Sequence, residues 1–357
     1  MDIEFHYHII YLIAARAGFN ITDAHLIAYS SQFVDDNTII YEINPGKPEY
    51  YKNYISQTYN ILKPRRKLFR IYPIFHFVPG DLLNGDPRKD GKLHQLNTTP
   101  DSVNSRNILR AALRSKDLYR IGIACHAYAD TWSHQNFTGY YDDFNAMKKP
   151  LERPSPLFKY TGKGIFVGHA SAYHKPDRIN EAWEDRRLAT RFSIRRNNRI
   201  FLEAVGRIFE ELYKFNHPDF KNKDFIAEQD DLIKDIAHAM KGKNKEQRIE
   251  NYKRLSLNDK YGNLEIRDYD SCAWIEEAIS GKLRRFSAPG RHAVVKFLWT
   301  YFSNNLFSCL NIYTWSDPQK YKDTHWFKFQ EAVKQHQKEA SGILNKTKVG
   351  NLELADW

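Results

Sequence analysis

A chain of 357 residues with 42% hydrophobic and 27% charged residues has the composition of a soluble globular protein with a sizeable core, which excludes collagen-like and disordered chains. Lys and Arg number 54 against 43 Asp and Glu, a formal charge of +11, so the field favours an anionic partner such as a nucleotide, nucleic acid or lipid headgroup. The basic runs Lys63 to Lys67, Arg186-Arg187, Arg195-Arg196 and Lys241 to Lys245 read as solvated faces, with no nucleic-acid module beside them.

Cys125, Cys272 and Cys309 are too scattered for a disulfide framework or a cysteine metal motif, which fits a reducing compartment. The first residues carry Asp2 and Glu4, and the apolar run after them is broken by His6, His8 and Arg16. No signal-peptide pattern and no membrane span is present, so a cytoplasmic location is expected.

Ile3 to Ala17 reads as a helix closed by Gly18. It carries His6 and His8, which point in different directions, so at most one of them shares an inward site. The next helix starts near Thr22 or Asp23, runs through Leu26, Ile27, Tyr29, Phe33 and Val34, and delivers Asp35 and Asp36 at its end. Thr38 to Tyr41 and the turn residues Asn44 to Pro48 predict at most a minor hairpin between helices. Ile71 to Gly80 is extended or irregular, because Pro73 and Pro79 bar a long helix. His76 lies in it. Asp81 to Thr99 is a polar loop that carries His94.

Pro100-Asp101-Ser102 starts an amphipathic helix through Leu109, Ala112 and Leu113. The helix after it, from about Leu118 to His134, is the centre of the chain. Ile121, Ile123, Ala124, Ala127, Ala129 and Trp132 bury it, while His126, Asp130 and His134, spaced by four residues, form one polar column. Two imidazoles and a carboxylate in apolar surroundings are costly unless satisfied, and they suit zinc or another borderline metal.

Gly168 to Asp177 gathers His169, His174 and Asp177 ahead of a helix expected to begin near Asn180. Arg186 to Phe215 reads as one long amphipathic helix with Phe192, Ile200, Phe201, Val205, Ile208, Phe209 and Leu212 inward. Asp224 to Leu255 holds one or two helices around the Lys241 to Lys245 turn. Cys272 to Ile279 reads as a short helix, Ala293 to Leu310 as an apolar core helix, and Lys328 to Gly342 as a polar one. His217, His238, His325 and His336 show no ligand spacing. With no repeat and no linker, the expectation is an all-α, multi-helix fold in one large domain, 1–357, its metal-site part about 1–215 and a helical C-terminal part about 216–357.

An acid after a helix, His76-Phe77, His126-Ala127-Tyr128-Ala129-Asp130 and His134-Gln135-Asn136-Phe137 together resemble the bacterial zinc-dependent phospholipase C and fungal single-strand nuclease superfamily, over about the first half of the chain. His6-Tyr7-His8 through Gly18, with Ala28 to Asp36, also looks like an uncharacterised bacterial family of unknown function. The superfamily resemblance implies an all-helical fold that binds three zinc ions in a cleft and hydrolyses phosphodiesters or phosphomonoesters through metal-bound water; for this chain two or three ions, zinc or another divalent metal, are expected.

On that resemblance one zinc takes Asp35 or Asp36, His76, His126 and Asp130, with Asp130 bridging to a further metal. A second takes His134, His169 or His174, and Asp177; a third takes His6 or, as second choice, His8. Asp130 bridges or orients, and whichever of Asp35 and Asp36 is unligated accepts a proton. His134 follows Asp130 by four residues, two fewer than the superfamily's usual spacing, and the superfamily's N-terminal amine is a further ligand. The leading expectation is a zinc-dependent phosphoric ester hydrolase acting on an anionic phosphate-containing substrate. The alternatives are a nucleotide phosphohydrolase of the His-Asp type, for which the chain has no adjacent His-Asp pair, and a non-enzymatic helical binding protein with structural histidines or a single structural metal.

Overall fold

The computed structural model describes residues 1–58, 70–140, 142–147, 167–280 and 312–346. The chain opens with a wide π turn, Glu4–Ile9, that runs directly into α1, Ile10–Arg16. Gly18, at φ +93°, closes that helix in the left-handed region that its missing Cβ permits. Helix α2, Ile21–Asp36, starts on Asn20, whose side chain accepts from the Asp23 amide. A second π turn, Tyr72–His76, follows in the segment expected to be irregular. Ser102 caps α3, Val103–Ser115, and Asp117 caps α4, Leu118–Ser133, which ends at His134.

Two corrections concern what comes next. The expected helix near Asn180 is instead a strand, Ala182–Glu184, paired antiparallel with Ile194–Arg196. Phe192 is half-buried in a short turn, and the helix expected from Arg186 begins only at Asn197, as α5, Asn197–Asn216. The reason is local alternation: Trp183 and Arg195 are buried between exposed neighbours, a period-2 pattern that a helix cannot satisfy. Trp183 then donates its indole N–H to Asn197 at 3.1 Å, fixing the ribbon to the helix start.

Helices α6, Asn222–Ala239, and α7, Lys245–Ser256, flank the charged turn as expected. The short α8, Ala273–Ala278, and α9, His325–Asn345, complete the described helices. The minor hairpin is larger than expected. Strands Glu42–Ile43 and Tyr51–Lys52 join Ile279–Ser280 and Ile312–Trp315 in a four-stranded sheet, with a parallel pairing between Glu42–Ile43 and Ile312–Trp315. The protein is therefore mostly helical with small sheets. The apolar stretch Ala293 to Leu310, the basic run Lys63 to Lys67 and Cys309 lie outside the described residues.

One contiguous apolar cluster runs from Met1 and α1 through α2, α4 and α5 to Leu344 in α9. Helix α4 is its axis, with residues 120–133 all buried. A second cluster, which includes Tyr72, Phe77, Phe137, Val167 and Trp183, lies under the loops. Among the described residues no helix is long and apolar enough to cross a membrane.

Candidate metal centre

Helix α4 and α2 cross so closely at Gly122 that a Cβ there would stand 2.5 Å from Ser30 Cβ and press on the Ile27 carbonyl oxygen. One helical turn later this crossing places the Ser31 carbonyl 2.8 Å from His126 Nδ1. A carbonyl only accepts, so Nδ1 carries a hydrogen and Nε2 is the nitrogen left for a second partner. Three other histidines are oriented in the same way. His76 Nε2 donates to the Ser56 carbonyl at 3.0 Å, His134 Nδ1 to the His76 carbonyl at 2.7 Å, and His169 Nδ1 to the Tyr173 carbonyl at 2.8 Å.

The four remaining ring nitrogens all face acceptors. His76 Nδ1 and His126 Nε2 are 3.1 Å from each other, 3.1 Å and 3.3 Å from Asp130 Oδ2, and 3.9 Å and 3.8 Å from Asp35 Oδ1. His134 Nε2 and His169 Nε2 each stand 3.3 Å from one oxygen of Asp177. His6, delivered by the first π turn, stacks on His126 with ring centroids 3.8 Å apart and sets Nε2 3.2 Å from Asp130 Oδ1. Its geometry there is not that of a hydrogen bond, and both His6 ring nitrogens are buried without a hydrogen-bond partner.

Three groups that could hold a metal ion thus converge: Asp35, His76 and His126; His6, His126 and Asp130; and His134, His169 and Asp177, the ligand atoms within each lying within 4.8 Å of one another. Tetrahedral ligands on bonds of about 2.0–2.1 Å stand about 3.3 Å apart, which is the spacing of most of these atoms. The amine of Met1, fully buried, donates to Asp130 and lies 3.3 Å from Ser133 Oγ and 3.5 Å from Asp177 Oδ1.

The electrostatics follow from this crowding. Burial alone would raise the Asp130 pKa, but the imidazoles of His134, His126 and His6 and the Met1 amine reverse this and hold it well below the usual carboxylate range. Asp35 and Asp177 are lowered in the same way against burial, Asp35 by His126, His6 and His76, and Asp177 by His169, the amine and His134. Burial dominates for the bases: it lowers His76 and, with His126 and the amine, brings His6 down to about 3. Burial also acts to lower the amine, yet Asp130, Asp177 and Asp35 raise it to about 11.

Of the alternatives left open by the sequence, one member of each pair stands in these groups. Asp36 stands outside them, because it accepts from Gln32 at 3.1 Å and from Tyr269 at 2.8 Å. His174 is exposed at the foot of a turn, whereas His169 faces Asp177. His8 lies on the far side of its turn, stacked on Tyr252 at 6.2 Å. His94 stands apart, 3.4 Å from Asp142.

A family model matches residues 1–344 of the chain. The chain belongs to DUF6765, a family of unknown function. The match takes in every residue of the three groups and the helices that carry them. No curated protein and no solved structure matches the chain.

Sequence reasoning missed the supports. Asn197 donates to the carbonyls of Lys175, Pro176 and Arg178 at 2.6, 3.3 and 2.7 Å, holding the turn that presents Asp177. The carbonyls of Ser31 and Ser56, and Gly122, carry no motif at all. Gly122, one turn before His126, is the only one with a signal in the sequence, a glycine inside a buried helix.

Proposed function

We propose that this protein is a metal-dependent hydrolase, with phosphoric esters as its substrates and zinc, or a comparable divalent metal, held by the three His/Asp groups. The observation that carries the reading is the convergence of nitrogens and carboxylates: four imidazoles, each tied to a carbonyl through one nitrogen, set the other within reach of a carboxylate oxygen. Nitrogens and oxygens crowded in this way need a proton or a metal ion between them, and one metal ion serves several at once. Neutral imidazoles with carboxylates, and no cysteine, suit zinc among the common metals. The unpartnered nitrogens of buried His6 fit the same demand.

Held there, such ions would supply Lewis acidity to a phosphoryl oxygen and lower the pKa of water to about 7. The chain's own part is to position and to screen. Asp130 sits between two groups and orients both. Asp35 and Asp177, with side chains 23% and 18% exposed, mark the side from which a substrate reaches the centre. The apolar walls of α4 keep the opposite side dry. The positive balance of the chain favours an anionic substrate.

A second reading, a helical binding protein with structural histidines, draws support from the Met1 amine, which neutralises Asp130 without a metal. It leaves both ring nitrogens of buried His6 without a hydrogen bond. Elemental analysis of the purified protein separates the two readings. Two or three equivalents of zinc, reduced in a His126→Ala, Asp130→Ala double variant to the one held by His134, His169 and Asp177, together with hydrolysis of a phosphodiester or phosphomonoester by the wild type, is the expected result. No metal bound and none taken up from added zinc would falsify the hydrolase reading.

A further inference from the structure

Two of the three groups share no residue, Asp35, His76 and His126 on one side and His134, His169 and Asp177 on the other, yet both touch the same dipeptide. His76 gives its imidazole to the first group, while its carbonyl accepts the His134 Nδ1 hydrogen at 2.7 Å and so sets which way that ring faces in the second. The next residue acts on the same ring from its face. Phe77 stacks on His134 with centroids 4.2 Å apart and planes 15° apart, and reaches to 6.0 Å from the His169 ring.

Phe77 itself has little room to move. Its amide closes the π turn by donating to the Tyr72 carbonyl at 2.6 Å. The ring occupies a slot lined by two glycines: a Cβ at Gly139 would meet Phe77 Cβ at 2.9 Å, and one at Gly168 would meet Phe77 Cζ at 2.5 Å. A shift of the His76 backbone therefore carries the carbonyl and the stacked ring with it, and both bear on His134.

We infer that the His76-Phe77 dipeptide couples the two separate ligand groups, Phe77 being a positioning residue for His134, so that a metal held by the Asp35 group tightens binding at the His134 group. The inference rests on the metal reading above and adds to it an ordered, cooperative filling. The physical basis is that ordering the His76 imidazole on a metal also orders its carbonyl, and the second ion then binds to a ring already aligned. Because linkage is reciprocal, occupancy of the second group tightens the first by the same factor.

The test is zinc titration calorimetry on the whole metal-stripped chain, with cobalt(II) absorption spectra to report ligand geometry. Asp35→Asn and His169→Ala assign each binding event to its group. Phe77→Leu, which keeps an apolar side chain and removes the stacking ring, is expected to weaken the His134 group about tenfold and leave the intrinsic affinity of the Asp35 group unchanged. In a double-mutant cycle, Asp35→Asn weakens the second group more in the wild type than in Phe77→Leu, where the His76 carbonyl alone links the groups. Phe77→Met, whose flexible thioether fills irregular space, is the second variant if Leu impairs folding. Equal weakening of both groups together with a lowered Tm, or no change at either, overturns the coupling and leaves the metal reading standing. Absence of uptake by the wild type overturns both.

Discussion

His126 and His336 are equally buried, on helices that pack together, and each ties its ring to a backbone carbonyl, Ser31 for one and Ile74 for the other. They differ in what the rest of the ring meets. His336 Nε2 is buried without a hydrogen-bond partner, and the ring stacks on Phe75 at 5.4 Å. His126 Nε2 meets Asp130, Asp35 and Nδ1 of His76. Burial accordingly pushes His336 down to about 3 and leaves it neutral in an apolar seat. The comparison teaches that burial does not distinguish a packing histidine from a candidate ligand; the atoms facing its second nitrogen do.

Removing metal breaks the comparison most. Each ion bound at a hundredfold excess over its Kd contributes about 2.7 kcal/mol to the folded state. Chelation of the purified protein is expected to lower Tm by many degrees, reversed by zinc, while His336→Leu keeps the chelation response. A Tm that ignores both chelator and zinc would make the two histidines equivalent.

Gly122→Ala comes next. The added Cβ drives α2 from α4 beside Ser30 and the Ile27 carbonyl, at a cost of about 1–3 kcal/mol in the metal-free chain. Because the same crossing presents the Ser31 carbonyl to His126, zinc affinity should fall as well, read by calorimetry. A destabilised variant with unaltered affinity would separate the crossing from the site.

Acid sensitivity sharpens the comparison further. His6 and His336 both have folded pKa values of about 3 against 6.5 when unfolded. As pH falls the unfolded chain takes up these protons first. The stability of the metal-free protein is therefore complete above about pH 6.5 and declines towards pH 3, by at most ~1.4 kcal/mol per pH unit for each group. Urea unfolding between pH 7 and 4 measures the slope; His336→Leu should make it shallower without changing metal stoichiometry. The smallest effect belongs to the residues outside the groups. His174→Ala, exposed and away from Asp177, is expected to change stability by less than ~0.5 kcal/mol and metal content not at all, whereas His169→Ala removes one equivalent.

Much of the centre was legible because it is local. His126, Asp130 and His134 follow the helical repeat, so spacing alone put them on one face. Asp35 against Asp36 was not legible. Asp36 is held by Gln32 one turn earlier and by Tyr269 from the far end of the chain, and no pattern near residue 36 records Tyr269. His169 against His174 was likewise decided by a turn whose anchor, Asn197, lies twenty residues beyond Asp177. The sheet was hidden for the same reason, since Glu42–Ile43 pairs with Ile312–Trp315.

The sequence by itself determined the helices with strong 3.6-residue periodicity, the polar column on α4 and the set of residues capable of binding metal, because these depend on neighbours within a few turns. Only the tertiary structure decided which member of each pair faces inward, that two π turns bring His6 and His76 to the column, and that backbone carbonyls orient the rings. Those outcomes arise from contacts between residues far apart in the chain, and a backbone carbonyl leaves no mark in the side-chain sequence.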